Sequence, residues 1–258
     1  MVLETLYGPI FYLSRGHGSP PLIAVHGAGG TCRHWGHQLT GLDDLTRLIA
    51  LDLPGHGRST GPPLRSIADG AQCVLALLDG LGCEHALLLG HSLGGAICQW
   101  LALHAPTRVS GLALIGTAGR LPIRHAILDG IHADWPATTA LITNLAYAPD
   151  TDPHILANAT AELRKTSPAA LDADYRSCAA FDDTLDVSRI AVPTLVLMGQ
   201  HDQLTPLSDG ADLAQRLPQA RLVVVPDAGH MPMIEQPAAV NAALRTFLTE
   251  AIAGRSAT

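Results

Sequence analysis

Short, wholly apolar runs alternate along this chain with longer stretches of helical period. Runs at Pro21 to Val25, Leu48 to Leu51, Ala86 to Leu89, Leu112 to Ile115, Thr194 to Met198 and Leu222 to Val225 carry almost no polar residue. A strand of that composition is buried on both faces, which is the environment of a parallel sheet between helices. Ahead of these runs, Leu3 to Tyr7 and Ile10 to Leu13 flank Gly8-Pro9 and predict an opening antiparallel hairpin. Between them, Ser66 to Leu81 reads as an amphipathic helix with Ile67, Leu75 and Leu78 inward, Ala96 to His104 as a buried helix, and Pro237 to Ala253 as a closing helix with its proline in the first turn. The rhythm predicts an α/β fold: a mostly parallel, eight-stranded sheet flanked by helices.

The rhythm stops between Gly119 and Asp183. Ile123 to Asp129, Pro136 to Leu145, Pro153 to Lys165 and Pro168 to Ala179 read as helices punctuated by prolines. A helical cap inserted at 119–183 is therefore expected on a core made of 1–118 and 184–258, and caps of this kind shape substrate pockets. Trp135, Leu141, Leu145, Tyr147 and Phe181 are its candidate lining residues. Trp35, Met231 and Met233 join them because they lie close in sequence to the glycine-rich loop and the histidine described next. Each of these apolar residues equally suits core packing.

The candidate chemistry begins at Ser92, in Gly90-His91-Ser92-Leu93-Gly94 between an apolar strand and a helix. A strand that turns sharply into a helix crowds the serine, and Gly90, Gly94 and Gly95 remove the side chains that would collide. Such a turn lifts the hydroxyl clear of the sheet. A serine hydroxyl is a poor nucleophile at neutral pH unless an imidazole accepts its proton, and a carboxylate must then set the imidazole tautomer. In the chain order nucleophile, acid, base, each after a later strand, Asp202 follows Thr194 to Met198 and His230 follows Arg221 to Val225. Asp227, three residues before His230, is the competing acid; Asp202 is preferred because it ends its own strand.

Two backbone N–H groups are needed where charge develops on the substrate carbonyl. The strand ending at Val25 opens into His26-Gly27-Ala28-Gly29-Gly30, which nominates the N–H of Ala28 together with that of Leu93, the residue after the nucleophile. His26 reads as a brace for this loop rather than a proton carrier. Taken in order, these segments and Asp52-Leu53-Pro54-Gly55-His56-Gly57-Arg58-Ser59 resemble the α/β-hydrolase fold enzymes, from about residue 3 to about 252, with only 119–183 lacking a family signature. In the resemblance the Asp52 to Ser59 block is a structural turn, so Asp52, His56 and Arg58 carry no chemistry.

The resemblance implies hydrolysis of a carboxylic ester through an acyl-enzyme, on a small-molecule acyl substrate and without a cofactor. Lactone, thioester and C–C bond hydrolysis share the fold. An enol-lactonase is the nearest alternative, on the layout around Ile190-Ala191-Val192-Pro193-Thr194 and the compact cap. Serine rather than aspartate at the elbow argues against dehalogenase and epoxide hydrolase chemistry. A non-catalytic, ligand-binding receptor is the competing class, disfavoured because every catalytic position holds a competent residue.

Composition narrows the classes further. With 258 residues, 47% of them hydrophobic, the chain can bury one large core. A net charge of -7, from 16 basic and 23 acidic residues, gives no footprint for nucleic acid or an anionic membrane. The most apolar stretch, Ala86 to Ala105, is interrupted by His91, Ser92, Gln99 and His104 and fails as a membrane span. No signal peptide is visible, and the cysteines (Cys32, Cys73, Cys83, Cys98, Cys178) are odd in number with no C-x-x-C pair. Reduced thiols in a cytoplasmic protein are expected. The 13 histidines show no zinc-ligand spacing, so no metal is expected.

Overall fold

Five of the six all-apolar runs become strands buried on both faces; the sixth, Leu222 to Val225, forms an edge of the sheet instead, with Leu222 36% and Val224 42% exposed. The structure, a computed structural model, describes residues 1–181 and 185–255. Among the described residues run eight strands: β1 (Val2–Thr5), β2 (Gly8–Arg15), β3 (Leu22–Val25), β4 (Leu48–Leu51), β5 (Ala86–His91), β6 (Val109–Ile115), β7 (Thr194–Gly199) and β8 (Ala220–Val225). They form one sheet in the order β1-β2-β4-β3-β5-β6-β7-β8. β1 and β2 make the opening hairpin, β2 lies antiparallel to β4, and all later neighbours are parallel. Side-chain alternation sends Ile23, Val25, Leu88, Leu112 and Val196 into one core and Leu22, Ala24, Leu87, Ala113 and Leu195 into the other.

The helices are α1 (Gly36–Gly41), α2 (Ile67–Gly80), α3 (Leu93–His104), α4 (His125–Ala133), α5 (Trp135–Ala146), α6 (Pro153–Leu163), α7 (Pro168–Ala179), α8 (Leu207–Arg216), α9 (Pro232–Glu235) and α10 (Pro237–Arg255). Helix α2 starts where Ser66 caps it, its Oγ accepting the Asp69 N–H at 3.0 Å. Its inward face is Ala71, Val74, Leu77 and Leu78, with Leu75 only half-buried. On the opposite face of the sheet, α10 buries Val240, Leu244, Phe247 and Leu248.

Four helices, α4 to α7, stand between β6 and β7, where the strand rhythm stops. Helix α4 starts at His125 rather than Ile123, because Arg124 ahead of it is extended. Asp134 ends α4 and caps α5 by accepting the Ala137 N–H. The insertion has its own small core of Ile127, Ile131, Ile142, Leu171 and Tyr175. The expected boundary at 183/184 and residues 256–258 lie outside the described residues. Among those described, no helix is long and apolar enough to cross a membrane.

The strand order places the site. From β3 the chain goes to β4 on one side, then returns to β5 on the other. Val25, the last residue of β3, pairs with Gly90 of β5, so the loops after these strands open side by side at a topological switch point.

Candidate active site

Ser92 occupies the junction of β5 and α3 with φ +51° and ψ -116°, a backbone conformation that L-residues rarely adopt. Strain of this kind costs about 1–3 kcal/mol and persists only where the surroundings impose it. They do so here. The Ser92 N–H donates to the Ile115 carbonyl at 2.9 Å, and the Ser92 carbonyl accepts from Gly95 N–H and Thr117 Oγ1. A Cβ on Gly90 would run into the Gly94 carbonyl, and one on Gly94 into the Val25 carbonyl, so the elbow closes only on glycine at both positions.

The other two residues arrive from the ends of β7 and β8. Asp202 Oδ2 lies 2.8 Å from His230 Nδ1, and Asp202 Oδ1 accepts the N–H groups of Leu204 and Thr205 at 2.9 and 2.8 Å. The Asp202 side chain is wholly buried and that of His230 nearly so. An acceptor at Nδ1 assigns the proton to that nitrogen and leaves Nε2 as the basic position. Asp227 is exposed on the surface with φ +54° and takes no part in this pair.

In the loop after β3, the Gly29 and Gly30 N–H groups are occupied, by Asp174 Oδ2 and the Gly27 carbonyl. The Ala28 N–H has no acceptor among the described residues. Leu93 is the first residue of α3, so its N–H has no acceptor within the helix. Ala28, Ser92 and His230 all border one cavity of about 390 Å³. Its walls are mainly apolar, including Leu121, Ile142, Leu163, Leu204 and Ile234, with Arg33 and Asn158 among its polar lining residues.

Of the apolar lining candidates, Tyr147 and Met231 border this cavity, and burial keeps the Tyr147 phenol protonated by raising its pKa. The others are placed elsewhere. Trp35 is fully buried in the core beneath the sheet, as is Met233, and Phe181 packs into the core on the opposite face. Trp135 and Leu145 pack against the insertion's own core, and Leu141 faces outward, 37% exposed. Helical period explains the miss: α5 turns Ile142 and Thr143 to the cavity, and Leu141 one residue earlier points away.

Four residues bearing on the site were not singled out from the sequence. His91, one residue before Ser92, donates Nε2–H to the His230 carbonyl at 2.9 Å, its ring 4.7 Å from that of His230. Burial, then the neighbouring His230, hold the His91 pKa well below its ordinary value, so the ring is neutral. Glu235 accepts the N–H of Gly229, beside His230, and the N–H of Ala148 in the insertion. Asp174 and Thr166, also in the insertion, both bond to Gly29. Of these only Asp174 left a trace in the sequence: a charge on the inward stripe Leu171, Asp174, Tyr175, Cys178 of α7.

The Asp52 to Ser59 block is a hydrogen-bonded turn: Asp52 Oδ1 and Oδ2 accept the N–H groups of Cys32 and Arg58, and Ser59 Oγ donates to the Asp52 carbonyl. Among the described residues no group of three or more His, Cys, Asp or Glu side chains converges as metal ligands do. The described cysteines are free thiols.

Comparison with known proteins finds relatives over most of the length of this chain. Over 247 residues the chain is 35% identical to the dihydrolipoyllysine-residue acetyltransferase component of an acetoin cleaving system from Pseudomonas putida. That alignment takes in 90% of this chain but 64% of the relative, just under two thirds of its length. A pimeloyl-acyl-carrier-protein methyl ester esterase from Nitrosomonas europaea is 30% identical over 242 residues, 84% of this chain and 91% of that one. The crystal structure of the enol-lactonase from Burkholderia xenovorans LB400 superposes with a TM-score of 0.90 at 26% identity, over 96% of this chain and 100% of that one. The family model described as alpha/beta hydrolase family matches residues 22–243, and the chain belongs to that family of enzymes.

Proposed function

We propose that this protein is a serine hydrolase that cleaves a carboxylic ester through an acyl-enzyme, with Ser92 as nucleophile, His230 as base and Asp202 as its orienting acid. The observation that carries the reading is His230, paired at 2.8 Å with the buried Asp202, bordering the same cavity as a serine held at φ +51°. His230 Nε2 takes the proton as Ser92 Oγ bonds to the acyl carbon. The oxyanion that forms is held by the N–H groups of Ala28 and Leu93. Collapse breaks the ester bond and the alcohol leaves with the proton from His230. Water then attacks the acyl-enzyme, again giving its proton to His230, and the acid leaves as Ser92 Oγ recovers the proton. Losing one such oxyanion donor costs about 10²- to 10³-fold in turnover, so this term is comparable with the base itself.

The 119–183 insertion serves as the cap over this site, and its helices supply much of the apolar wall. A cavity of about 390 Å³ is at the small end of ligand sites and suits a compact acyl group. A lactone is the second reading, favoured by the likeness to an enol-lactonase over 96% of the chain. The free thiols support the cytoplasm as the working compartment. Turnover of p-nitrophenyl esters from acetate to decanoate, with two lactones alongside, tests the reading: activity that survives Ser92→Ala contradicts it, and the preferred substrate separates esterase from lactonase.

A further inference from the structure

Three successive peptide planes of the glycine-rich loop are each held by a hydrogen bond. The plane that carries the Ala28 N–H is gripped at its other end, where the Gly27 carbonyl takes His26 Nδ1–H at 2.8 Å and the Gly30 N–H at 3.0 Å. The next plane is held by its Gly29 N–H, which donates to Asp174 Oδ2 at 2.8 Å. The third is held by the Gly29 carbonyl, which accepts from Thr166 Oγ1 at 2.9 Å. Peptide planarity means that fixing one end of each unit fixes the other.

The second and third holds come from the insertion, not from the body. Asp174 lies on α7 and Thr166 in the turn between α6 and α7. Gly29 itself has φ +66°, and a Cβ there would stand 2.7 Å from methyl carbons of both Leu163 and Leu171, so those helices close directly onto its backbone. The same Asp174 oxygen takes His56 Nε2–H at 2.9 Å, the two side chains being 1% and 0% exposed. Asp174 thereby ties the insertion to two loops of the sheet at one point, the loop after β3 and the turn after β4.

We infer that Asp174 and Thr166 are positioning residues for the oxyanion hole: they lock the backbone just beyond Ala28 and so keep its N–H aligned with that of Leu93. The inference rests on the hydrolase reading above. The energetic logic is that a donor aimed at a developing charge acts only when already in place, and a displacement of about 1 Å in a catalytic array costs on the order of 10²-fold. Helices α6 and α7 also contribute Asn158, Leu163 and Tyr175 to the cavity wall. The helices that meet the acyl group are thus the ones that set the loop.

The test compares Asp174→Ala, Asp174→Asn, Thr166→Val and Thr166→Ser with wild type on one p-nitrophenyl ester, alongside inhibition by a trifluoromethyl ketone that forms a tetrahedral adduct. Asp174→Ala should lower kcat about 10²-fold with KM within about threefold, and raise the ketone Ki by the factor by which kcat/KM falls. Asp174→Asn keeps an oxygen for the Gly29 N–H and should stay within about tenfold of wild type; Thr166→Val should lose about tenfold and Thr166→Ser recover it. Should Asp174→Ala fail to fold, the Thr166 pair decides alone. The inference is overturned if the folded Ala and Val variants keep kcat within about twofold of wild type, or if their losses lie in KM while the ketone binds unchanged. Ser92→Ala, run in parallel, keeps the two readings apart: a dead Ser92→Ala beside a fast Asp174→Ala removes only the positioning role, whereas an active Ser92→Ala removes the hydrolase reading.

Discussion

His26 and His56 face each other with ring centroids 5.1 Å apart, and their hydrogen bonds leave the first neutral and the second protonated. His26 Nε2 accepts the Leu53 N–H at 3.0 Å, so Nδ1 holds the only ring proton and donates to the Gly27 carbonyl. Both nitrogens of His56 face acceptors, the Pro54 carbonyl at 3.2 Å and Asp174 Oδ2 at 2.9 Å, which requires a proton on each. The titration directions agree. Burial, and then the charge on His56, lower the His26 pKa to about 3. Burial also pulls His56 down, but the charge and hydrogen bond of Asp174 outweigh it and the net shift is upward.

Stability should therefore peak near neutral pH. His26 and His34 are lowered, chiefly by burial, to about 3 and about 4 from 6.5, and His91 falls well below 6.5. The unfolded chain takes up these protons first, so stability falls as pH drops below 6.5, by about 1 kcal/mol per pH unit for each ring. His56 acts in the opposite sense: its contribution is complete below 6.5 and is lost as pH rises through its raised folded value. The thiols of Cys32 and Cys73, pushed up to about 12 from 9.0, mainly by burial, add a further loss only above about pH 9. Thermal melts from pH 4 to 9 should show both limbs, and Asp174→Asn should flatten the one between 6.5 and 9. A wild-type stability that keeps rising from pH 6.5 to 9 would contradict the charged His56.

Asp202→Asn should lower kcat about 10⁴-fold, because an amide sets the wrong tautomer of His230. Asp227→Asn, at an exposed surface position, should leave kcat within about twofold. Steady-state kinetics on one ester read both, and the reverse order would show that the wrong carboxyl has been assigned.

Trp35 and Ile234 should separate stability from selectivity. Trp35→Ala empties a fully buried core site and should cost about 3–5 kcal/mol, with kcat/KM of the folded fraction close to wild type. Ile234→Trp fills the cavity wall and should shift the best p-nitrophenyl ester toward shorter chains with little change in melting temperature. A chain-length shift in Trp35→Ala instead would return that residue to the site.

Gly90→Ala should lower the melting temperature by about 3–10 °C, since its Cβ would meet the Gly94 carbonyl, a backbone atom that cannot swing aside. An unchanged melt would show that the elbow has more room than its backbone contacts allow.

The features read correctly from the sequence are those with a local cause. The sheet was legible because a strand buried on both faces must be apolar throughout, and β3 to β7 followed those runs closely, whereas β8 is apolar yet lies exposed at the sheet edge. The placement of Ser92, Asp202 and His230 has the same local origin, each falling shortly past the end of such a run, while their joint action as a triad is the proposal made above. Asp174, Glu235 and the pairing of His56 were not legible. Each acts through a contact spanning the fold, as when Asp174 reaches Gly29 across 145 residues, and no local period encodes such a partner. The cavity wall was mostly illegible for a related reason, with two of the eight apolar candidates, Tyr147 and Met231, bordering it: helical period predicts that α5 has an inward face, but which residue of that face meets the cavity depends on how the insertion seats on the body.

The most direct measurement of the central claim is peptide mapping of the trapped acyl-enzyme. The protein is mixed with a p-nitrophenyl ester, quenched in acid within the burst, digested and analysed by mass spectrometry. One acyl group on the peptide containing Ser92, absent in Ser92→Ala, is the predicted result. Ester turnover with the acyl group on another residue, or with none trapped while Ser92→Ala turns over at the wild-type rate, would contradict it.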